Sequence, residues 1–79
     1  MFNYTIIEGN LISDPIVETI NFEKICKYKL RCFNGDFKIF NLTSTGITGG
    51  MVSVLKKGAR LIVSIDKKSN LTKEITKLN

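Results

Sequence analysis

The sequence predicts a small all-β domain with one short helix, and three observations support that class. Residues 25–32 alternate between apolar and basic side chains, which is the period of a half-buried strand. Three further runs are rich in β-branched and aromatic residues: residues 2–8, 37–43 and 59–66. One segment, residues 49–57, has helical spacing. A chain of 79 residues is too short for two ordinary domains, so we expect one domain over residues 1–79.

The first strand is expected over residues 2–8, with Gly9-Asn10 interrupting it before Leu11-Ile12. A glycine inside a strand pattern indicates a bulge at which the strand bends. Ser13-Asp14-Pro15 has the chemistry of a turn. Residues 16–20 are then expected to form a short continuation of the same strand.

The strand over residues 25–32 is expected to have one buried and one basic face. The alternation places two sets of side chains on opposite faces, Cys26, Tyr28, Leu30 and Cys32 inward and Lys27, Lys29 and Arg31 outward. The two cysteines are separated by about 20 Å along one strand, which is beyond the reach of a disulfide. We therefore expect two buried free thiols.

Asn34-Gly35 predicts a hairpin that leads from this strand to residues 37–43, and two loop lengths are open. A two-residue loop would put Phe40 and Leu42 on the same face as the lysines. A three-residue loop over residues 33–35 puts them with the inward side chains instead. We prefer the second register because it buries the larger apolar set. On that register three further residues join the basic face: Phe37, Ile39 and Asn41.

The second half of the chain begins with the predicted helix. Thr48 is the expected N-cap and Gly58 the expected stop for a helix over residues 49–57. Residues 59–66 are rich in Leu, Ile and Val and predict a strand. Residues 71–78 stay open, because their apolar spacing fits a helix while their threonines favour a strand.

The order of these elements indicates a particular fold. Three strands, a short helix and then one or two strands within 79 residues is the order of the OB-fold. We therefore predict a five-stranded Greek-key barrel with one short helix between strands 3 and 4.

Two segments resemble bacterial single-stranded-DNA-binding proteins. In the first, Asn3 to Pro15, an apolar strand runs into Gly9-Asn10-Leu11 and then Asp14-Pro15. In the second, residues 55–63, Lys57-Gly58 is followed by alternating apolar residues. The resemblance covers roughly residues 3–65. It implies an OB-fold and the binding of single-stranded DNA.

The sequence also departs from that family. The chain has no Trp, the residue that often stacks on bases in the family. Phe37 best matches the aromatic position of the third strand, and Thr43 stands where the pattern usually has another ring. The chain ends at Asn79 without the acidic tip through which family members recruit replication partners. We therefore expect a minimal version of phage, plasmid or primosomal type.

Charge and composition exclude several classes of function. Residues 1–23 contain four acids and no base, whereas all 12 Lys and Arg lie from Lys24 onward beside three acids. That skew indicates an anionic partner. No apolar run reaches the roughly 18 residues of a membrane span, and the N-terminal residues lack the basic-then-apolar order of a signal peptide, so we expect a cytoplasmic protein. The chain has no His and no paired carboxylates, which argues against an enzyme, a metal site or a cofactor.

The candidate binding residues are cations and rings on or near the basic face. Cations that follow the phosphates and aromatic rings that stack on the bases are what single-strand binding requires. The candidates are Lys27, Lys29 and Arg31 on the strand, Phe33 and Phe37 as stacking rings, Ile39 beside them, and Arg60 and Lys67 at the ends of the fourth strand. Each has an alternative: Phe33 and Phe37 could pack in the core, Ile39 could lie in a subunit contact, and the lysines could simply be solvated.

We therefore expect non-specific binding of single-stranded DNA during replication or recombination. A homodimer or homotetramer is expected because 79 residues give only a small core. Two alternatives remain. One is an OB module directed to RNA, and the other is a protein-interaction or scaffold protein that does not bind nucleic acid.

Overall fold

The computed structural model describes residues 3–32 and 38–78. The elements in chain order are β1 (Tyr4–Leu11), β2 (Ile16–Ile20), β3 (Glu23–Cys32), β4 (Ile39–Thr45), α1 (Gly46–Ser53), β5 (Arg60–Asp66) and β6 (Thr72–Lys77). The all-β class with one short helix is confirmed. The helix lies between β4 and β5, which are the predicted strands 3 and 4, because the predicted first strand included β2.

The strands form one curled antiparallel sheet. Its order is β2-β3-β1-β5-β6, and β4 pairs with the other edge of β3. Both β1 and β2 lie along one edge of β3, where Gly9 faces Cys32 and Ile16 faces Lys27. At the far end, the Thr43 amide donates to the Asn70 carbonyl at 3.1 Å, which joins β4 to the segment before β6. This connectivity is the predicted Greek-key OB-fold, with β1 and β2 as one interrupted strand.

The core is built from the inward faces of these strands. β3 contributes the four residues that the alternation predicted, Cys26, Tyr28, Leu30 and Cys32, all of which are buried. Both cysteines are free, as expected, and burial raises the pKa of each thiol. Burial also raises the pKa of Tyr28, whose hydroxyl is hydrogen-bonded to the Thr72 hydroxyl. That bond connects β3 to β6 through the interior.

The preferred assignment of faces is confirmed for residues 39–42 of β4, but the preferred register is wrong. Leu42 is buried and Phe40 is half-buried on the inner side, while Ile39 and Asn41 are exposed. Leu30 pairs with Phe40, whereas a loop over residues 33–35 would have paired it with Lys38. The register is therefore displaced by two residues, which preserves the faces because the side-chain period is two. The loop itself lies outside the described residues.

Gly9 has a different role from the one expected. β1 pairs with β5 in unbroken register from Tyr4 to Asn10, so there is no bulge at Gly9. A Cβ atom built at Gly9 would overlap the carbonyl oxygen of Arg31 and lie 2.9 Å from its carbonyl carbon. The glycine is needed because the backbones of β1 and β3 approach closely at this point.

The helix begins and ends earlier than predicted. It spans Gly46–Ser53, with Thr45 at the N-cap, so the assignment of Thr48 as N-cap was wrong. The Thr48 hydroxyl instead donates to the Thr45 carbonyl at 2.9 Å, from within the first turn. Gly58 has a φ of +94° and lies in the turn before β5 rather than at the helix end. Residues 3–32 and 38–78 contain no helix long and apolar enough to cross a membrane.

Residues 71–78, for which both helix and strand were left as alternatives, contain the strand β6. β6 pairs with β5, and the register shifts between Ser64 and Ile65. This irregularity turns both Thr72 and Ile75 inward although they are three residues apart. Of the apolar residues whose spacing fitted a helix, Ile75 is buried, Leu71 is half-buried and Leu78 is exposed.

Candidate nucleic-acid interface

Three basic side chains form a row on the outer face of β3. Lys27, Lys29 and Arg31 are exposed, whereas Tyr28 and Leu30 between them are buried. Alternate residues on a strand lie about 6.6 Å apart, which is close to the spacing of successive phosphates in an extended nucleic-acid strand. Neither Lys29 nor Arg31 forms an ion pair with any described residue. We call these three residues the basic row.

β4 places a neighbour beside each member of the basic row. The cross-strand pairs are Arg31 with Ile39, Lys29 with Asn41, and Lys27 with Thr43. Directly opposed residues in an antiparallel pair share a face, so these neighbours flank the cations. Ile39 is 45% exposed and Asn41 is exposed. Both therefore lie on the outer face, as the preferred register predicted, but each pairs with a cation two residues further along β3 than that register implied.

Arg60 of β5 lies in line with Arg31. Asn10 of β1 pairs with Arg31 on one side and with Arg60 on the other, so the two arginines stand two strands apart, about 10 Å. The Arg60 guanidinium donates from Nε to Glu8 Oε2 at 3.1 Å and also bonds through Nη2. Arg60 is therefore near the basic row, but its charge is balanced by Glu8.

Lys27 is also paired with an acid. Its Nζ lies 3.3 Å from Glu18 Oε2, and both side chains are about half exposed. Glu18 belongs to β2, which lies beside β3, just as Glu8 of β1 lies beside β5. The acidic first segment is thus not separate from the basic remainder. Folding places two of its carboxylates on the face that carries the candidate cations.

Replacing Glu18 by glutamine is expected to strengthen the binding of oligo-dT about 2- to 5-fold. An exposed ion pair contributes at most about 1 kcal/mol, and its loss leaves Lys27 available to a phosphate. The dependence of log K on log salt should steepen by about 0.7. Fluorescence anisotropy over a salt series measures both quantities.

The matched control for Glu18→Gln is Glu74→Gln, which makes the same change of charge at an exposed position of β6. This control should change affinity by less than the Glu18 variant does. Equal gains from both variants would show that only net charge matters, and would contradict a specific role for the Glu18–Lys27 pair.

A cleft of about 200 Å³ opens beside the Lys27 end of the basic row. Its lining includes Ile16 on one side, Lys27 and Lys29 on another, and Asn41 and Thr43 of β4. The side chains of Asn41 and Thr43 make no hydrogen bond to any described residue. The cleft therefore combines an apolar wall with polar groups that are available to a ligand.

Of the remaining predicted residues that the structure describes, Lys67 does not join the basic row. Lys67 is exposed in the turn after β5. Its backbone amide donates to the Asn3 carbonyl at 2.8 Å, so this turn lies next to the beginning of β1. Phe33 and Phe37 lie outside the described residues.

Sequence reasoning missed two outward neighbours of the basic row, Asn10 and Ile16. Asn10 was assigned to an interruption of the first strand, although it lies in regular strand pairing beside Arg31. Ile16 stands opposite Lys27 and is 61% exposed. Residues 16–20 do not alternate between apolar and polar side chains, so no local pattern in the sequence could have placed Ile16 beside Lys27.

Comparisons with known proteins support the fold assignment. No family model matches the sequence, and no curated protein matches it. The structure is similar to a deletion variant of the single-stranded DNA binding protein from Thermus aquaticus, with a TM-score of 0.88 and 16% identity. The match covers 99% of this chain and 42% of that chain.

A second similar structure is the second single-stranded DNA binding protein, SSBb, from Mycobacterium smegmatis. Its TM-score is 0.70 at 15% identity, with coverage of 99% of this chain and 90% of that one. Likeness at this level of identity establishes the fold, while function depends on the residues of this chain.

Proposed function

We propose that this protein binds single-stranded DNA without sequence preference and serves in replication or recombination. The observation that carries the proposal is the basic row, Lys27, Lys29 and Arg31, on the outer face of an OB-fold. Two proteins described as single-stranded DNA binding share that fold. We propose a binding protein rather than an enzyme.

Binding begins with electrostatic attraction. Lys29 and Arg31 have no acidic partner among the described residues, so they are the first cations available to phosphates. Lys27 and Arg60 become available once a phosphate displaces Glu18 or Glu8. Since released counterions drive this step, affinity should fall as salt is added.

Contacts to the bases give the preference for single strands. Phe37 and Phe33 are the proposed stacking residues, each contributing about 1–3 kcal/mol per base. Ile39 offers an apolar surface beside Arg31. The cleft beside Lys27 is suited to a sugar or base edge, because Ile16 supplies contact and Asn41 supplies a donor and an acceptor. Paired bases in a duplex cannot use these surfaces, because their faces are already stacked.

We also propose that the protein acts as a homodimer or homotetramer. Ile6, on the outer face of β1, is 72% exposed, and within the described residues β1 pairs with β3 only from Gly9 to Leu11. An apolar side chain this exposed on the outer face of β1 is proposed to lie in the contact with a second copy. Light scattering should give a mass of two or four chains, and Ile6→Lys should lower it. A monomeric wild type would contradict this part of the proposal.

The test of the function is anisotropy with labelled oligo-dT, duplex DNA and RNA over a salt series. We expect oligo-dT to bind more tightly than duplex and to weaken linearly in log salt. Binding of oligo-dT no tighter than duplex, or insensitive to salt, would contradict the proposal. Tighter binding of RNA than of oligo-dT would favour an RNA-directed module.

A further inference from the structure

Phe22 is an exposed aromatic residue that the fold does not explain. Its side chain is fully exposed, at 105% of the reference value. Ile20 pairs with Glu23, so Asn21 and Phe22 alone form the turn between β2 and β3. Their φ angles are +50° and +65°, the left-handed region that such a hairpin turn requires.

A phenylalanine is unfavourable at this position for two reasons. A residue with a Cβ in the left-handed region costs roughly 1–2 kcal/mol relative to glycine, which is the usual residue there. The ring also contributes no burial to the folded chain. Because Phe22 helps neither the turn nor the core, its strained and exposed position indicates a role in binding.

The position of the turn indicates what the ring contacts. The outer face of β3 runs from Arg31 through Lys27 and Ile25 to Glu23, and the turn follows directly. Phe22 lies five residues beyond Lys27, or about 17 Å in an extended strand. At about 6.6 Å per nucleotide, that distance corresponds to two or three nucleotides. The turn therefore continues the line of the basic row.

We propose that Phe22 stacks on a base of the single strand where it passes beyond the Lys27 end of the basic row. The inference rests on the proposed function and adds a contact to it. Glu23 and Lys24 beside the turn have opposite charges, so the hairpin end has little electrostatic attraction of its own. Stacking requires no charge and no particular base, and a fully exposed ring can offer both its faces.

The first test is Phe22→Gly, which separates binding from stability. Glycine relieves the left-handed strain, so the melting temperature should rise or stay unchanged. Affinity for oligo-dT should nevertheless fall about 5- to 100-fold, as expected for one lost stacking contact. The salt dependence should not change, since no charge is removed. Loss of affinity without loss of stability excludes misfolding as the cause.

The second test uses fluorescence. The chain contains no Trp, so Phe22→Trp introduces a single reporter at the turn. Its emission should be quenched by oligo-dT and much less by an abasic oligonucleotide of equal length, which keeps the phosphates but lacks bases. The control is Ile47→Trp, at an exposed residue of α1, whose emission should change little.

The outcomes separate this inference from the proposed function. If wild type binds oligo-dT and Phe22→Gly binds equally well, the inference is wrong while the function stands. If wild type does not bind oligo-dT, both are wrong. If Phe22→Gly keeps its affinity but changes the mass in light scattering, Phe22 belongs to a contact between copies and the inference is overturned.

Discussion

Replacing Lys27, Lys29 and Arg31 together by alanine is expected to weaken binding of oligo-dT roughly 100-fold at about 0.1 M salt. Each cation that neutralises a phosphate of a single strand contributes about 0.7 to the slope of log K against log salt. The slope should therefore become shallower by about two. The fold should persist, because all three side chains are exposed and their strand is anchored by the buried residues between them. Anisotropy gives the affinities, and circular dichroism checks the fold.

A charge-matched variant is the control for this experiment. Lys56, Lys73 and Lys77 are exposed and lie outside β3. Their joint replacement by alanine lowers the net charge by the same three units. We expect this control to lose only a few-fold in affinity. If both triple variants lose affinity equally, binding follows net charge and the basic row has no special role.

Replacing Gly9 by alanine is expected to destabilise the protein by about 3 kcal/mol or more. The new methyl group would overlap the Arg31 carbonyl, which belongs to a paired strand and cannot move like a flexible side chain. A domain of 79 residues has a free energy of unfolding of only about 4–12 kcal/mol. The melting temperature should fall by roughly 12–24 °C. Thermal unfolding followed by circular dichroism, at one protein concentration, measures the change.

Gly50 provides the matched control for Gly9. It lies in α1, and a Cβ atom there would meet nothing within 4 Å. Gly50→Ala should therefore stabilise the protein, by up to about 1 kcal/mol, through helix propensity. A Gly9→Ala variant as stable as wild type would show that β1 and β3 do not approach as closely as described.

The sequence predicted those features that depend on local periodicity. The alternation in β3 identified both its buried residues and the basic row, because a strand with one face exposed to solvent alternates between apolar and polar side chains. The same reasoning chose the faces of β4 correctly, although the register was displaced by two residues. The order of the elements was enough to predict the OB-fold.

Features that depend on contacts between distant segments were missed. The role of Gly9 is set by the carbonyl of Arg31, which no local pattern around the glycine reveals. The Glu18–Lys27 and Glu8–Arg60 ion pairs arise from the pairing of strands that are distant in the sequence. The distribution of charge along the chain therefore suggested separate acidic and basic segments, although the fold brings these acids and bases together. Phe22 was missed because phenylalanine is not a turn-forming residue.

The central claim is that single-stranded DNA binds across the outer faces of β3 and β4. The most direct measurement is a titration of labelled protein with oligo-dT, followed by proton–nitrogen correlation spectra. The largest amide shifts are expected at Lys27 to Arg31 and at Ile39 to Thr43, with little change in α1 and β6. Shifts concentrated on the outer face of β5 and β6, or no shifts at all, would contradict the claim.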